Sequence, residues 1–187
     1  MKTRLFALLL CAALLMGCGG SYGAETPGPT EAAEDQPTAA PSEAPAAESY
    51  DGLVFSAADR EGNTWDESVF AAHRLTMLNF WEPWCGPCVG EMADLQKLQD
   101  TYADRGFLIL GIYSTEGVES DVDEVLAYTG VTYPILHYTD AFDRFQSGYV
   151  PTTVFVDGDG HVIGGDSALY IGSNSFEGWA ALVEGML

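Results

Sequence analysis

The chain has 187 residues, with 7 basic and 28 acidic side chains and a formal net charge of −21. That balance disfavours nucleic acid and direct adhesion to an anionic bilayer, because both partners carry the same sign. Apolar residues are unevenly placed: residues 19–49 hold almost nothing that could fill a core, whereas residues 50–187 are aromatic and aliphatic and long enough for one compact domain.

The chain opens with "MKTRLFALLLCAALLMGC", a basic start at Lys2 and Arg4 followed by an apolar run too short for a comfortable membrane span. The run ends in "LLMGC", which resembles a bacterial lipobox. The resemblance implies a lipoprotein signal peptide over residues 1–17, with Cys18 acylated and first in the mature chain. An ordinary signal peptide or signal anchor is the alternative. Residues 18–49, rich in Ala, Pro, Glu, Gly, Ser and Thr, then read as a lipid-anchored disordered linker.

The domain, residues 50–187, begins with "LVFSAADREGNTW", two short strands around an Asp-Arg-Glu-Gly turn that form a β-hairpin. "DESVFAAH" predicts a short helix from Asp66, and "LTMLNFW" (75–81) a buried strand. Pro87 marks the start of the next helix, whose apolar positions Met92, Leu95, Leu98 and Tyr102 recur at helical spacing. Asp104-Arg105-Gly106 ends it. "FLILGIYS" (107–114) predicts a second buried strand, and residues 120–130 a helix capped by Ser120 and closed by Gly130. "YPILHY" reads as a strand and "DAFDRFQSG" as a short helix. "TTVFVDGDGHVIG" reads as a hairpin turning at Asp157–Gly160, and a helix near 174–186 closes the chain. This order implies an α/β fold with a mixed central sheet flanked by helices.

"LNFWEPWCGPCVGEM" on a strand–helix junction, with "GYVPTTVFVDGDGHVI" downstream, resembles the thioredoxin fold. More narrowly it is similar to the membrane-anchored TlpA/ResA thiol–disulfide oxidoreductases. The resemblance covers about residues 50–187 and includes a helix–strand insertion between residues 115 and 139. Three positions depart from the pattern. Pro83 stands where small or polar residues are usual, Gly90 lies inside the helix, and Ala93 replaces a proline that commonly kinks it.

Of the four cysteines, Cys11 falls in the signal segment and Cys18 at its end, which leaves Cys85 and Cys88 as a Cys-x-x-Cys pair. Zinc needs four ligands, and the three scattered histidines show no ligand spacing, so no metal is expected. A structural staple across so short a loop would constrain the unfolded chain only slightly. A redox dithiol fits better. Cys85 precedes a helix whose free N–H groups and dipole favour a thiolate, so it is the expected nucleophile. Cys88, one turn inside and facing the core, is the expected resolving thiol.

Gly86 and Pro87 keep the pair close, and Trp84 flanks the nucleophile. Pro151 resembles the cis-proline that faces the dithiol in this fold, which would set the Val150 backbone beside Cys85 for a substrate strand; an ordinary turn proline is the alternative. Glu91 shares the helical arc of Cys88 and Met92. It is either a proton acceptor for Cys88, as the resemblance also implies, or a glutamate that bends out to solvent. His73, His137 and His161 read as structural or exposed, and Asp157 and Asp159 as turn residues rather than a calcium site.

The resulting expectation is a lipid-anchored, extracytoplasmic disulfide reductase on a bacterial cell membrane that needs no cofactor. By resemblance its substrates are the disulfides of exported proteins, in cytochrome c maturation or methionine sulfoxide reductase support. The implied electron source is a membrane donor of the CcdA/DsbD type. A thiol oxidase, a peroxiredoxin-like peroxidase and a copper chaperone are the rival readings.

Overall fold

The computed structural model describes residues 52–165 and 168–187. The signal segment, Cys18 and residues 18–49 lie outside them. Five strands form the central sheet in the order β5-β4-β3-β6-β7. Strand β3 (Leu75–Phe80) is buried along its whole length and occupies the middle, parallel to β4 (Phe107–Tyr113) and antiparallel to β6 (Thr152–Asp157). Strand β5 (Ile135–His137) runs parallel to β4 at one edge, and β7 (Tyr170–Ile171) pairs with β6 at the other.

A central strand buried on both faces has no polar side, so its residues alternate between two cores. Leu75, Met77 and Trp81 pack with Met92, Leu95 and Leu98 of α2 (Gly86–Tyr102) and with Trp179 of α4 (Phe176–Met186). Helix α3 (Glu119–Thr129) adds Val122 to that side. Leu78 and Phe80 face the other core, closed by Phe55, by Phe70 of α1 (Ser68–Ala71), and by Phe142 and Phe145 of a 3-10 helix at Asp140–Phe145. Gly111 lets β5 approach closely: a Cβ there would stand 2.6 Å from the Ile135 Cδ1 atom.

The expected N-terminal hairpin is β1 (Ser56–Ala58) paired with β2 (Thr64–Asp66). Buried Asp59 organises its turn, accepting from the backbone N–H groups of Glu61 (3.0 Å) and Asn63 (2.8 Å) and from the side chains of Asn63 and Trp65 (2.9 Å each). Arg60 then ties the hairpin to the sheet, donating to the Tyr113 hydroxyl and pairing with Asp123 of α3.

Four local expectations are corrected. Helix α1 starts at Ser68 rather than Asp66, because the Asp66 carboxylate turns back to accept from the Ser68 N–H. Helix α3 begins at Glu119, with Val118 as its N-cap residue and no side-chain cap, so Ser120 is not the cap; Gly130 does close it in the left-handed conformation (φ 72°). Residues 140–145 form a 3-10 helix. The hairpin after β6 is reduced to one bridge between Val156 and Val162, and β6 takes β7 as its ladder partner instead.

Gly90 is an exposed position of α2, and a Cβ there would meet nothing within 4 Å. Gly90→Ala is therefore expected to stabilise the domain by about 0.5–1 kcal/mol through helix propensity and unfolded-state entropy. Chemical denaturation of the two proteins checks this.

Candidate active site

Strand β3 ends at Phe80, and six residues later α2 begins with Cys85 as its N-cap. The Cys85 peptide is anchored from both sides: its N–H donates to the Glu82 carbonyl (3.0 Å) and its carbonyl accepts from Val89 (3.1 Å). Cys85 Sγ accepts from the backbone N–H of Cys88 at 3.2 Å, one of the donors a helix start leaves free. The two cysteines are joined in a disulfide, with Cα atoms 5.3 Å apart. Cys85 is 5% exposed and Cys88 1%, so Cys85 is the outer residue of the pair.

The Val150–Pro151 peptide is cis. It brings the Val150 carbonyl oxygen to 3.6 Å from Cys85 Sγ, across 65 residues of chain. Gly86 and Pro87 form the exposed first turn of α2. Trp84, 68% exposed, stands beside the disulfide and directs its indole N–H towards the Thr115 hydroxyl at 3.4 Å. Cys85, Cys88, Trp84, Gly86, Pro87, Val150 and Pro151 thus meet in one place. Trp81 by contrast is core, at 1% exposure.

Glu91 is buried, which overturns the solvent-facing alternative. Its Oε1 atom accepts from the Asn79 amide (3.3 Å), and Oε2 accepts from the Asn174 backbone N–H (3.0 Å) and the Trp179 indole (3.2 Å). Desolvation by burial is the largest influence on its carboxyl and raises its pKa above the ordinary value; the three hydrogen bonds oppose that, and the nearby Asp94 charge adds to it. Burial likewise raises the Tyr133 phenol, with the Glu91 charge as a second cause. Asn79 also donates to the Thr153 hydroxyl at 3.1 Å on the neighbouring strand. Asn174, Trp179 and Thr153 were not singled out from the sequence. Their contribution depends on where α4 and β6 pack, which no local pattern records.

Glu82 was also missed. It lies two residues past β3, is 3% exposed, and its Oε1 atom accepts from Ser114 N (2.9 Å), Ser114 Oγ (2.6 Å) and Thr115 N (3.2 Å). A glutamate between two tryptophans at the end of an apolar strand was the available signal. Elsewhere, Asp157, Asp159 and His161 hold ligand atoms within 4.8 Å of one another. Asp157 Oδ1 there is already engaged by the backbone N–H groups of Asp159 (3.0 Å) and His161 (2.9 Å), which is turn chemistry.

The "AhpC/TSA family" model matches residues 51–164. The "Thiol-disulfide oxidoreductase ResA" of Oceanobacillus iheyensis is 35% identical over 88 residues, covering 46% of this chain and 45% of that protein. Its namesake from Geobacillus thermodenitrificans is 32% identical over 99 residues, covering 48% and 56%. The chain thus spans about half the length of the curated relatives it matches. Among solved structures, a "thiol:disulfide interchange protein, thioredoxin family protein" from Chlorobium tepidum superposes with a TM-score of 0.62 at 26% identity, covering 72% of this chain and 94% of that one. The Mycobacterium tuberculosis dsbF structure shares the fold, with a TM-score of 0.62 at 21% identity over 72% and 96% of the two chains.

The raised Glu91 carboxyl has a consequence for stability. Above its ordinary value of 4.5 the unfolded chain has released this proton while the native state still holds it. Stability therefore falls as pH rises from there through the folded pKa, and the loss is complete above it. Glu91→Gln removes that titration, and its amide oxygen can still serve the Asn174 and Trp179 donors. The stability of the variant relative to the parent should rise with pH across this window, measured by urea denaturation at a series of pH values.

Proposed function

This chain belongs to the AhpC/TSA family, in its thioredoxin-fold, ResA-like part, and from that premise we propose that it is an extracytoplasmic thiol–disulfide oxidoreductase that reduces disulfides of exported proteins. The observation that carries the reading is the Cys85–Cys88 disulfide at the start of α2, with the Val150 carbonyl 3.6 Å from the outer sulfur. The bonded pair is the oxidised end of the cycle. Two electrons from a membrane donor of the CcdA/DsbD type convert it to the dithiol.

In the forward step the Cys85 thiolate, favoured by the helix start, attacks one sulfur of a substrate disulfide. A Cys85–substrate bond forms, the substrate S–S bond breaks, and the departing thiolate takes a proton. Cys88 must then lose its own proton in a buried setting. Glu91, one helical turn along, accepts it. The Cys88 thiolate attacks Cys85 Sγ, the mixed disulfide breaks, and the reduced substrate leaves with Cys85 and Cys88 joined again. An extended substrate segment pairs with the backbone at Val150, and Trp84 borders its path.

Cytochrome c maturation and support of methionine sulfoxide reductases are the assignments for such a reductase. Acylation at Cys18 holds the domain at the outer face of the membrane, with residues 18–49 as its tether. A peroxidase use of Cys85 is disfavoured by the local chemistry. Glu82, with its carboxylate bound at Ser114 and Thr115, occupies the place where a Thr-x-x-Cys arrangement would put a hydroxyl.

Cys88→Ser is expected to accumulate mixed disulfides with natural partners, and Cys85→Ser to trap none; equal trapping by both would reverse the assignment of nucleophile. A Cys85–Cys88 potential near about −270 mV fits a reductase, whereas one near −120 mV would make the protein an oxidase. Cys18→Ala should release the protein from the membrane fraction or leave it as unprocessed precursor, read by fractionation and immunoblot.

A further inference from the structure

We infer that the groove beside Cys85 is a subsite for a cationic side chain of the substrate, a lysine or arginine close in sequence to the disulfide cysteine, and that Glu82 reads its charge. The inference rests on the exchange reading above and deepens it. The groove has a volume of about 480 Å³ and borders the disulfide, because it is lined by Trp84, which precedes Cys85, and by Val150, whose carbonyl oxygen lies 3.6 Å from Cys85 Sγ. Its other walls are aromatic, formed by Phe80, Tyr138, Phe145 and Tyr149, the last 70% exposed.

Glu82 is the one acidic side chain in that lining. All three of its hydrogen bonds fall on Oε1, from Ser114 and Thr115, while Oε2 is buried with no hydrogen-bond partner among the described residues. A carboxylate oxygen accepts hydrogen bonds, so an incoming N–H donor suits Oε2. Among the described residues the chain's cations have other engagements: Arg60 with Asp123, Arg105 with Glu184, Arg74 with the Leu187 carbonyl, Lys97 over the Phe176 ring and Arg144 over the Phe145 ring. Oε2 thus has room for one more donor, and the substrate cation is the donor we assign to it.

Three features select a cation over a neutral donor. The aromatic walls attract positive charge and accept the apolar stem of a long side chain. A charge-assisted bond to Oε2 is stronger than a neutral one. A chain of net charge −21 also draws basic segments towards it. A substrate strand paired at Val150 advances about 3.3 Å per residue, so a side chain within about three residues of its cysteine reaches the groove.

The test uses the full domain and two peptide sets. Peptides with serine in place of the cysteine carry arginine, norleucine or glutamate at each nearby position, and their binding is measured by calorimetry. The arginine peptide should bind about tenfold more tightly than the norleucine peptide at one or more positions, with the glutamate peptide weakest. Glu82→Gln should reduce the arginine advantage to about twofold or less. Equal binding of the arginine and norleucine peptides by the parent protein overturns the subsite, and so does a full arginine preference in Glu82→Gln. The parent comparison decides the matter if that variant fails to fold. Cysteine-bearing versions, offered as mixed disulfides to the domain after its Cys85–Cys88 bond has been reduced with dithiothreitol and the reductant removed, report exchange separately. Should they fail to react while the serine peptides keep the preference, the exchange reading falls and the subsite stands.

Discussion

The free N–H groups at the start of α2 are the constraint on which the rest of this molecule turns. A helix leaves its first donors without intrahelical partners. Here the Cys88 N–H is answered by the sulfur of Cys85 itself, at 3.2 Å. That arrangement requires the chain to leave β3 and enter α2 at a fixed angle, and the double burial of β3 supplies the rigidity. Strand β6, antiparallel to β3, then delivers the cis Val150–Pro151 peptide to the same end of the sheet. The Cys85 sulfur is set where one helix start, one central strand and one neighbouring loop converge.

Much of this was legible from local pattern. The apolar runs at 75–81 and 107–114 are the two central strands, and the spacing of Met92, Leu95, Leu98 and Tyr102 gives the buried face of α2. Cys85 and Cys88 follow from spacing and from elimination of metal and staple roles. What the pattern hides is non-local. Strand β7 is two residues long and exists because β6 offers it a ladder; taken alone, "YI" has no strand signal. Ser120 looks like a cap by composition, yet α3 starts one residue earlier, where no side chain caps it.

Glu91 shows the same limit more sharply. Its place on an apolar arc is visible in the sequence, but the arc alone leaves its side chain free to bend outward. What holds it inside is a set of donors distant in the chain, the backbone at Asn174 and the indole of Trp179, brought in by α4. Asp94, one turn further along α2, accepts from the Phe176 N–H in the same stretch (3.1 Å). Two carboxylates of one helix therefore receive N–H groups at the beginning of another, where the helix dipole favours negative charge. The desolvation of Glu91 is only partly offset, which strengthens its hold on a proton.

Glu82 and Glu91 are buried to the same degree, yet the sheet separates them and their settings differ in kind. Glu91 lies on the α2–α4 side, where both oxygens are bonded and the residue is closed off beside the inner cysteine. Glu82 lies on the opposite side with Phe80 and Phe145, where one oxygen takes three hydrogen bonds and the other has no partner among the described residues, beside a groove that Trp84 and Val150 also line. A carboxylate bonded at both oxygens is suited to holding and passing a proton within the protein. A half-bonded one bordering a groove has an acceptor left for a further donor. On the proposed reading, proton transfer at Cys88 and recognition beside Cys85 fall to different glutamates on different sides of the sheet.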